Sequence, residues 1–138
     1  MTMLKSIRVA DYMTRRLITL SPGQSVNDAI RVLLENGISG APVVEGDRLA
    51  GIFSESDCLK GAIHSGYHGT EIGTVAEFMS TNVQTLEASD SVLTAADIFL
   101  REHRRRLPVM EDGKLVGQIS RRDVLRAMND FAEKSSVA

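Results

Sequence analysis

The sequence predicts a mixed α/β (α+β) fold made of two β-α-β-β-α repeats packed with pseudo-two-fold symmetry. The chain has 138 residues, 43% hydrophobic and 25% charged, which is typical of a soluble globular domain. Shifting the sequence by 66 residues aligns Val9–Lys60 with Val75–Arg126 without a gap. The alignment contains 17 identities, where unrelated segments would give about three. Each copy then repeats the same order of strand and helix patterns.

The composition excludes several classes of protein. Cys58 is the only cysteine, so no disulfide framework or zinc finger is expected. A net charge of -2 and 4% aromatic residues argue against nucleic-acid binding. No apolar run reaches the ~18 residues of a membrane span, so no membrane association is expected. A cytoplasmic location is the natural expectation for such a chain.

The first copy opens with a strand near Leu17–Leu20 and continues with an amphipathic helix. Ser25 is a possible N-cap of this helix, and Gly37 supplies a C-terminal stop. The apolar residues at helical spacing are Val26, Ala29, Ile30, Leu33 and Leu34.

A hairpin and a second helix complete the first copy. The short apolar runs Ala41–Val44 and Leu49–Phe53 flank an acidic turn that contains glycine, a pattern typical of a hairpin. A helix then begins at Ser54 and carries the apolar residues Leu59 and Ile63.

The second copy has the same elements in the same order. A strand near Val83–Leu86 precedes a helix that carries Val92, Ala95, Ala96, Phe99 and Leu100. The runs Leu107–Met110 and Leu115–Ile119 form the hairpin, and a second helix begins at Ser120. The predicted division is repeat 1 at 9–64, a Gly-rich linker at 65–74, repeat 2 at 75–130 and a polar tail at 131–138. The glycine-rich composition extends over Gly61–Thr74, which predicts flexibility there, and the polar end after Met128 is expected to fray.

A short motif follows the hairpin of each copy. The two versions are Ser54-Glu55-Ser56-Asp57 and Ser120-Arg121-Arg122-Asp123. Local sequence alone favours a capping box, in which the serine caps backbone amides and the acid reaches back. The same junction would also present a hydroxyl, free amides and a carboxylate, which suit a vicinal diol and a phosphate. The two roles are compatible.

These motifs resemble those of cystathionine-β-synthase (CBS) domains. The resemblance rests on Gly51-Ile52-Phe53-Ser54-x-x-Asp57, Gly117-Gln118-Ile119-Ser120-x-x-Asp123, the Pro42-Val43 and Pro108-Val109 strands and the paired Met13 and Met79. It covers about residues 9–128, and two such domains in tandem resemble a stand-alone CBS pair, or Bateman module. The recurrence of the motif at a fixed register makes the resemblance specific.

The resemblance implies that an adenosine nucleotide binds in the cleft between the repeats. AMP, ADP or ATP is the expected ligand, with S-adenosylmethionine or NADH also considered, and no resident cofactor is implied. Asp57 and Asp123 would hold the ribose diol, and Ser54, Ser56 and Ser120 would hydrogen-bond ribose or phosphate. The residues expected to border the base are Ile18, Thr19, Ile52 and Thr85.

The second repeat differs from the first in its basic residues. His103-Arg104-Arg105-Arg106 precedes its Pro-Val strand, where the first repeat has neutral Ser39-Gly40-Ala41. Such a charge run is most often a solvated turn. By resemblance, however, Arg105 and Arg106 would bind phosphate, because arginine can hold a phosphate through two hydrogen bonds. Arg122 stands where a small hydroxyl residue is common in the family, and it would add a further cation for phosphate.

Two other features have simpler explanations. His64, His68 and Glu71 could mimic a metal site, but exposed loop histidines are the favoured interpretation and no metal is expected. Cys58 lies near a helix start, where a thiol can become acidic, although packing as a small apolar residue is favoured.

The sequence therefore predicts a regulatory module that binds adenosine nucleotides, acts on an unidentified protein partner and forms a homodimer. The apolar helical faces that suggest a dimer contain Leu33, Leu34, Phe99 and Leu100. One alternative is a ligand-free scaffold for dimerisation or partner docking. A second alternative is an enzyme such as a nucleotide hydrolase, but the sequence offers no P-loop and no Ser/His/Asp set to support it, so a non-enzymatic role is expected.

Overall fold

The computed structural model describes residues 3–68 and 73–136 and mixes α-helices with β-strands, as the sequence predicts. Two short 3-10 turns lie at Leu4–Ser6 and Val9–Asp11. The helices are α1 (Val26–Asn36), α2 (Glu55–His68), α3 (Val75–Phe78), α4 (Val92–Glu102) and α5 (Arg121–Ser136). The strands are β1 (Gly40–Glu45), β2 (Arg48–Ser54), β3 (Leu86–Glu87), β4 (Arg106–Glu111) and β5 (Lys114–Ser120). Within the described ranges, no helix combines the length and the apolar character that crossing a bilayer requires.

The chain folds into two compact units. The central unit comprises Ile18–Val83, and the terminal unit comprises Met1–Leu17 together with Gln84–Ala138. The units differ from the sequence repeats, because the opening segment of each repeat belongs to the unit that contains the body of the other repeat.

The central unit is built on the antiparallel hairpin β1–β2, in which Pro42 pairs with Ile52 and Gly40 with Ser54. Helix α1 contributes an apolar face that packs on this hairpin because its inward positions recur at helical spacing. The buried core residues of the unit are Leu20, Val26, Ala29, Leu33, Ala41, Val43, Phe53 and Val75.

The terminal unit contains a three-stranded sheet in the order β3-β4-β5. Strand β3 is parallel to β4, and β4 is antiparallel to β5, with Arg106 opposite Ser120. Its buried core residues are Val9, Leu86, Ala88, Ala95, Ile98, Phe99, Leu107, Val109, Ile119 and Val124. Each unit therefore has a hydrophobic core of its own.

The exchanged opening segments are fixed by backbone pairing. Thr14 forms two backbone hydrogen bonds with Gln118 of β5, of 2.8 and 2.9 Å, and Ser80 forms two with Ile52 of β2, both of 2.9 Å. A glycine lies beside each pairing. A Cβ atom on Gly117 would lie only 2.8 Å from the Thr14 carbonyl oxygen, so a residue with a side chain would displace this segment.

The predicted helix boundaries of α1 are confirmed by its caps. The Ser25 hydroxyl accepts a hydrogen bond from the Asp28 amide at 3.0 Å, and Gly37 adopts a left-handed conformation at the C-terminus. In the second repeat, Ser91 caps α4 at Leu93 N, and His103 takes the left-handed position with φ 53°. The left-handed conformation at the C-cap is therefore kept in the second repeat, although that repeat has no glycine at this position.

The opening strand of each repeat is shorter than predicted. Instead of a strand at Leu17–Leu20, only Leu20 forms an isolated parallel bridge, with Val43. In the second repeat β3 covers only Leu86–Glu87 rather than Val83–Leu86. Leu20 and Leu86 are the buried residues of the predicted segments, whereas the residues that precede them face solvent at least in part, so pairing begins only at these two leucines.

The first part of the predicted linker is helical. Helix α2 continues through Gly61 and Gly66 to His68, so the predicted flexible segment at Gly61–Thr74 is wrong for its first part. Gly69, Thr70, Glu71 and Ile72 lie outside the described residues. Helix α2 packs against α1, α3 and the preceding strand β2. Such packing outweighs the roughly 1 kcal/mol cost of a glycine within a helix.

The predicted fraying after Met128 is also wrong as far as Ser136, because α5 continues to that residue, while Val137 and Ala138 lie outside the described residues. Asp130 of this stretch accepts a 2.7 Å hydrogen bond from the Tyr12 hydroxyl, and Asn129 contacts Glu133 one turn later. These interactions stabilise a helix end that is polar on the surface.

Candidate functional site

The first strand-to-helix junction, named junction 1, is the Ser54–Asp57 segment of the central unit. The Ser54 amide donates to Oδ2 of Asp57 at 2.9 Å, and the Ser54 hydroxyl lies 3.2 Å from the same oxygen. Asp57 is only 3% exposed, so these hydrogen bonds compensate for its burial. Ser56 lies exposed in the first turn of α2.

Junction 2 is the Ser120–Asp123 segment of the terminal unit and forms a reciprocal capping box. The Ser120 amide donates to Oδ2 of Asp123 at 2.8 Å, and the Asp123 amide donates to the Ser120 hydroxyl oxygen at 3.2 Å. Asp123 is 8% exposed. The capping role that local sequence favours for this motif is therefore confirmed.

A cation accompanies each junction carboxylate, but the two contacts differ. Lys60 Nζ lies 3.7 Å from Oδ1 of Asp57, which is an ion pair without a hydrogen bond. Arg126 donates to Oδ1 of Asp123 at 2.7 Å, and this hydrogen bond raises the pKa of the Arg126 guanidinium. The cation therefore lies closer to the Asp123 carboxylate in junction 2 than to the Asp57 carboxylate in junction 1.

Tyr12 also contacts the Arg126 guanidinium. The Tyr12 carbonyl accepts from Arg126 at 3.2 Å, and the guanidinium carbon lies 5.7 Å from the centre of the Tyr12 ring. The Tyr12 hydroxyl donates to Asp130, and this hydrogen bond raises the pKa of the hydroxyl above its ordinary value of 10.0. Sequence reasoning missed this network, because Tyr12 is more than one hundred positions from its partners.

The basic segment of repeat 2 is held against junction 2 by Arg121. The Arg121 side chain donates to the carbonyl oxygens of Arg104 at 2.7 Å and Phe99 at 3.0 Å. The Arg121 backbone amide donates to the carbonyl oxygen of Arg105 at 3.2 Å. Phe99 is in the last turn of α4, where carbonyl groups lack partners within the helix. Arg121 was not among the predicted site residues, and its counterpart in repeat 1 is Glu55.

The predicted arginines lie at the same end of the terminal unit. Arg106 is half-buried at the start of β4 and pairs with Ser120, whereas Arg105 and Arg122 are exposed. A surface cavity of about 390 Å³ lies along α5 and is lined by Arg122, Leu125, Arg126, Asn129 and Asp130. The structure thus brings basic side chains and the Asp123 junction into one region of this unit.

The residues predicted to border a base are divided between the units. Ile18 and Thr19 are exposed just before the Leu20 bridge, and Ile52 is half-buried on β2, two residues before Ser54. Thr85 belongs to the terminal unit, where its carbonyl accepts from the Gln84 side chain at 3.1 Å.

Metal binding and thiol chemistry find little support in the described residues. The His64 ring packs edge-on against Phe78, with ring centres 6.0 Å apart. Glu71 and the His68 side chain lie outside the described residues, and no group of three metal-ligating side chains occurs within 3–68 and 73–136. Burial raises the pKa of the Cys58 thiol, which packs against the core as a small apolar residue rather than an acidified one.

Comparison with known proteins identifies the family. The CBS-domain model matches residues 9–64 and 75–130, and the chain belongs to the CBS-domain family. A structure of CBSX2 from Arabidopsis thaliana in complex with AMP is 32% identical, covers 91% of this chain and 98% of its own, and superposes with a TM-score of 0.81.

Curated relatives include much longer enzymes. The A-adding tRNA nucleotidyltransferase of Geobacter sulfurreducens is 33% identical over 92% of this chain but only 14% of its own length. The inosine-5'-monophosphate dehydrogenase of Korarchaeum cryptofilum is 32% identical over 96% of this chain and 27% of its own length. The chain spans between 14% and 44% of the first three curated relatives, so the match concerns their CBS portions alone.

Proposed function

We propose that this chain is a regulatory module that binds an adenosine nucleotide and passes the binding signal to a protein partner. The observation that carries the proposal is the pair of Ser-x-x-Asp junctions in a chain 32% identical to CBSX2, whose structure contains AMP. AMP is the first candidate, followed by ADP, ATP, S-adenosylmethionine and NADH. No catalysis by this chain is proposed.

The residues supply the chemistry that such a ligand requires. A vicinal diol donates two hydrogen bonds, and the junction carboxylates of Asp57 and Asp123 are acceptors for such donors. The hydroxyl groups of Ser54, Ser56 and Ser120 suit ribose or phosphate oxygens. Arg105, Arg106 and Arg122 would neutralise phosphate, while Ile18, Thr19, Ile52 and Thr85 would border the base.

Signalling would follow from differential binding. A ligand shifts a conformational equilibrium only by as much as it prefers one state over another. Nucleotide binding would therefore change the affinity of the module for its partner by the ratio of the ligand's affinities for the two states. A homodimer in the cytoplasm is the assembly and location that we propose.

A ligand-free scaffold is the second candidate function. It is favoured by large apolar side chains that are exposed on the helices, such as Leu34 at 77% and Leu100 at 74%. Such a scaffold would bind a partner equally well with and without nucleotide.

Titration calorimetry tests the proposal directly. The full chain is titrated with AMP, ADP, ATP, S-adenosylmethionine and NADH, and at least one adenosine nucleotide is expected to bind. A 2'-deoxy analogue of that nucleotide should bind more weakly, because it lacks one donor to the carboxylate. If none of the five ligands produces heat or raises the melting temperature, the scaffold function replaces the proposed one.

A further inference from the structure

Residues 8–14, named the N-terminal segment, are attached to the terminal unit at both of their ends. The Val9 amide donates to the carbonyl oxygen of Asp90 at 2.7 Å, just before α4. Thr14 forms its two backbone hydrogen bonds with Gln118 of β5, two residues before junction 2 begins. The N-terminal segment is therefore a strap that reaches from the start of α4 to the strand that leads into junction 2.

Arg126 of α5 joins this strap to junction 2. Its guanidinium donates to Oδ1 of Asp123 at 2.7 Å and to the Tyr12 carbonyl oxygen at 3.2 Å. The Tyr12 ring lies 5.7 Å from the guanidinium carbon, and its hydroxyl donates to Asp130 at 2.7 Å, one turn further along α5. One side chain thus contacts both the junction carboxylate and the N-terminal segment.

The Arg126 side chain has room to move. It is 57% exposed, whereas the Asp123 side chain is 12% exposed. It also lines the surface cavity of about 390 Å³ along α5. Because an exposed ion pair contributes little to stability, the guanidinium can turn away from Asp123 at small cost. Arg126 is therefore the movable member of the network.

A donor that approaches Asp123 must share an oxygen with Arg126. Oδ2 of Asp123 already accepts from the Ser120 amide at 2.8 Å, as part of the cap of α5. Oδ1 is the oxygen that is not committed to the cap, and it is the one that Arg126 contacts. Two donors on one carboxylate oxygen weaken each other, because both draw on the same negative charge. A new donor therefore loosens the contact with Arg126.

The central unit has different chemistry at the matched positions. Phe78, Lys60 and His64 stand where the terminal unit has Tyr12, Arg126 and Asp130. Phe78 and His64 contact each other through their rings, with centres 6.0 Å apart. Lys60 Nζ lies 3.7 Å from Oδ1 of Asp57, which is too far for a hydrogen bond. The central unit therefore provides a natural control for the terminal one.

We propose that Arg126 and Tyr12 are positioning residues that transmit the state of Asp123 to the N-terminal segment. When a donor occupies Asp123, Arg126 is released and the segment separates more readily from β5. The coupling is negative and reciprocal, so loosening the segment strengthens binding at Asp123 by the same factor. That a nucleotide is the donor rests on the proposed function, whereas the link through Arg126 stands without it.

Hydrogen exchange of the Thr14 and Gln118 amides tests the link without ligand. Asp123→Asn removes the charge that holds Arg126, and both amides should then exchange about threefold faster or more. In an Arg126→Met background the same substitution should cause no further acceleration, because the link is already broken. Thermal melts verify that each variant is folded.

The central unit supplies two controls for this comparison. The Ser80 and Ile52 amides form the matched pairing, and their exchange in Asp123→Asn should remain that of the wild type. Asp57→Asn makes the matched substitution beside Lys60, and it should accelerate the Ser80 and Ile52 amides less than Asp123→Asn accelerates their counterparts.

AMP tests the coupling to a ligand. Saturating AMP should accelerate exchange of the Thr14 and Gln118 amides about threefold in the wild type and leave it unchanged in Arg126→Met. A purely structural role predicts no such acceleration, since ligand binding by itself stabilises the fold. By reciprocity, Tyr12→Leu should tighten AMP binding about threefold in calorimetry, whereas Phe78→Leu at the matched position should not.

Three results would overturn the proposal. Equal acceleration of Thr14 exchange by Asp123→Asn with and without Arg126 would assign the effect to the cap of α5 and remove the link. Exchange that AMP leaves unchanged or slows, or AMP affinity that Tyr12→Leu does not raise, would remove the coupling to the ligand. If none of the five ligands of the calorimetric test binds the wild type, the proposed function fails, and the exchange comparison without ligand alone decides the link.

Discussion

The Arg121 side chain donates a hydrogen bond of 3.0 Å to the carbonyl oxygen of Phe99 and thereby joins the start of α5 to the last turn of α4. The same guanidinium donates to the Arg104 carbonyl at 2.7 Å, so it also fixes the segment that leads into β4. In the first repeat the matched residue is Glu55, which cannot donate through its ionised side chain. This contact is therefore specific to the basic end of the terminal unit.

Replacing Arg121 should loosen that end. Arg121→Ala removes two charge-assisted hydrogen bonds to carbonyl groups, and we expect it to lower the free energy of unfolding by about 1–2 kcal/mol. Arg121→Lys should recover only part of this loss, because one ammonium cannot reproduce the fork of donors. Urea denaturation measures both changes. Arg122→Ala is the matched control, and a loss of stability in it equal to that in Arg121→Ala would contradict the role given to Arg121.

Gly117 allows the opening segment of the chain to approach β5. In Gly117→Ala, the new Cβ would lie 2.6 Å from Met13 Sδ and 2.8 Å from the Thr14 carbonyl oxygen, so the segment must move. We expect a loss of about 1–3 kcal/mol in unfolding free energy and faster hydrogen exchange of the Thr14 and Gln118 amides. Gly23→Ala serves as the control, since no atom lies within 4 Å of its Cβ. Equal effects of the two substitutions would show that the close approach is unimportant.

Local patterns were sufficient to predict the hairpins and the long helices. Ser25 and Gly37 mark the ends of α1 because capping depends on residues within one turn. The Ser-x-x-Asp junctions were predictable for the same reason, since Ser120 and Asp123 are three residues apart.

Long-range pairings could not be predicted from these patterns. The pairing of Thr14 with Gln118 and of Ser80 with Ile52 joins residues of different repeats, and a repeat alignment contains no information about which copy a segment contacts. The extension of α2 through Gly61 was missed because helix packing outweighed the low helix propensity of glycine. The contact between Tyr12 and Asp130 likewise depends on the tertiary fold.

Because the pKa of Tyr12 is shifted by folding, the stability of the terminal unit should depend on pH in the alkaline range. Its pKa is raised above 10.0 by the hydrogen bond to Asp130 and by burial, with Asp11 acting in the same direction and Arg126 in the opposite one. Because the folded pKa is the higher one, the stabilisation is fully present below pH 10 and is lost as the pH rises through the folded value. Phenylalanine, which the second repeat carries at the matched position Phe78, cannot ionise.

Tyr12→Phe should therefore be less stable than the wild type at neutral pH, by about 1 kcal/mol for the lost hydrogen bond. The difference in unfolding free energy between the two proteins should shrink over the range above pH 10, as the pH rises toward the raised pKa of folded Tyr12. Urea denaturation at a series of pH values measures this difference and cancels the titration of other groups. A difference that is constant over that range would contradict the coupling between Tyr12 ionisation and folding.

We expect two exposed leucines to contact a second copy of the chain. The predicted dimer faces contained Leu33 and Phe99, but these are 4% and 3% exposed and belong to the cores of the units. Their neighbours Leu34 and Leu100 are 77% and 74% exposed, and burying such side chains is favourable by about 1.5–3 kcal/mol each. We therefore expect a homodimer at micromolar concentration, and we expect Leu34→Glu and Leu100→Glu to dissociate it.

Sedimentation velocity measures the mass against the 15.1 kDa of a single chain. Thr94→Glu is the matched control, because it adds the same charge at an exposed polar position of α4 and should leave the dimer intact. Each variant is expected to retain the helical circular dichroism of the wild type, since neither leucine is part of a core. A wild-type chain that sediments as a monomer with and without AMP would refute the dimer. If dissociation is as strong in Thr94→Glu as in Leu100→Glu, added charge rather than the loss of an apolar contact is its cause.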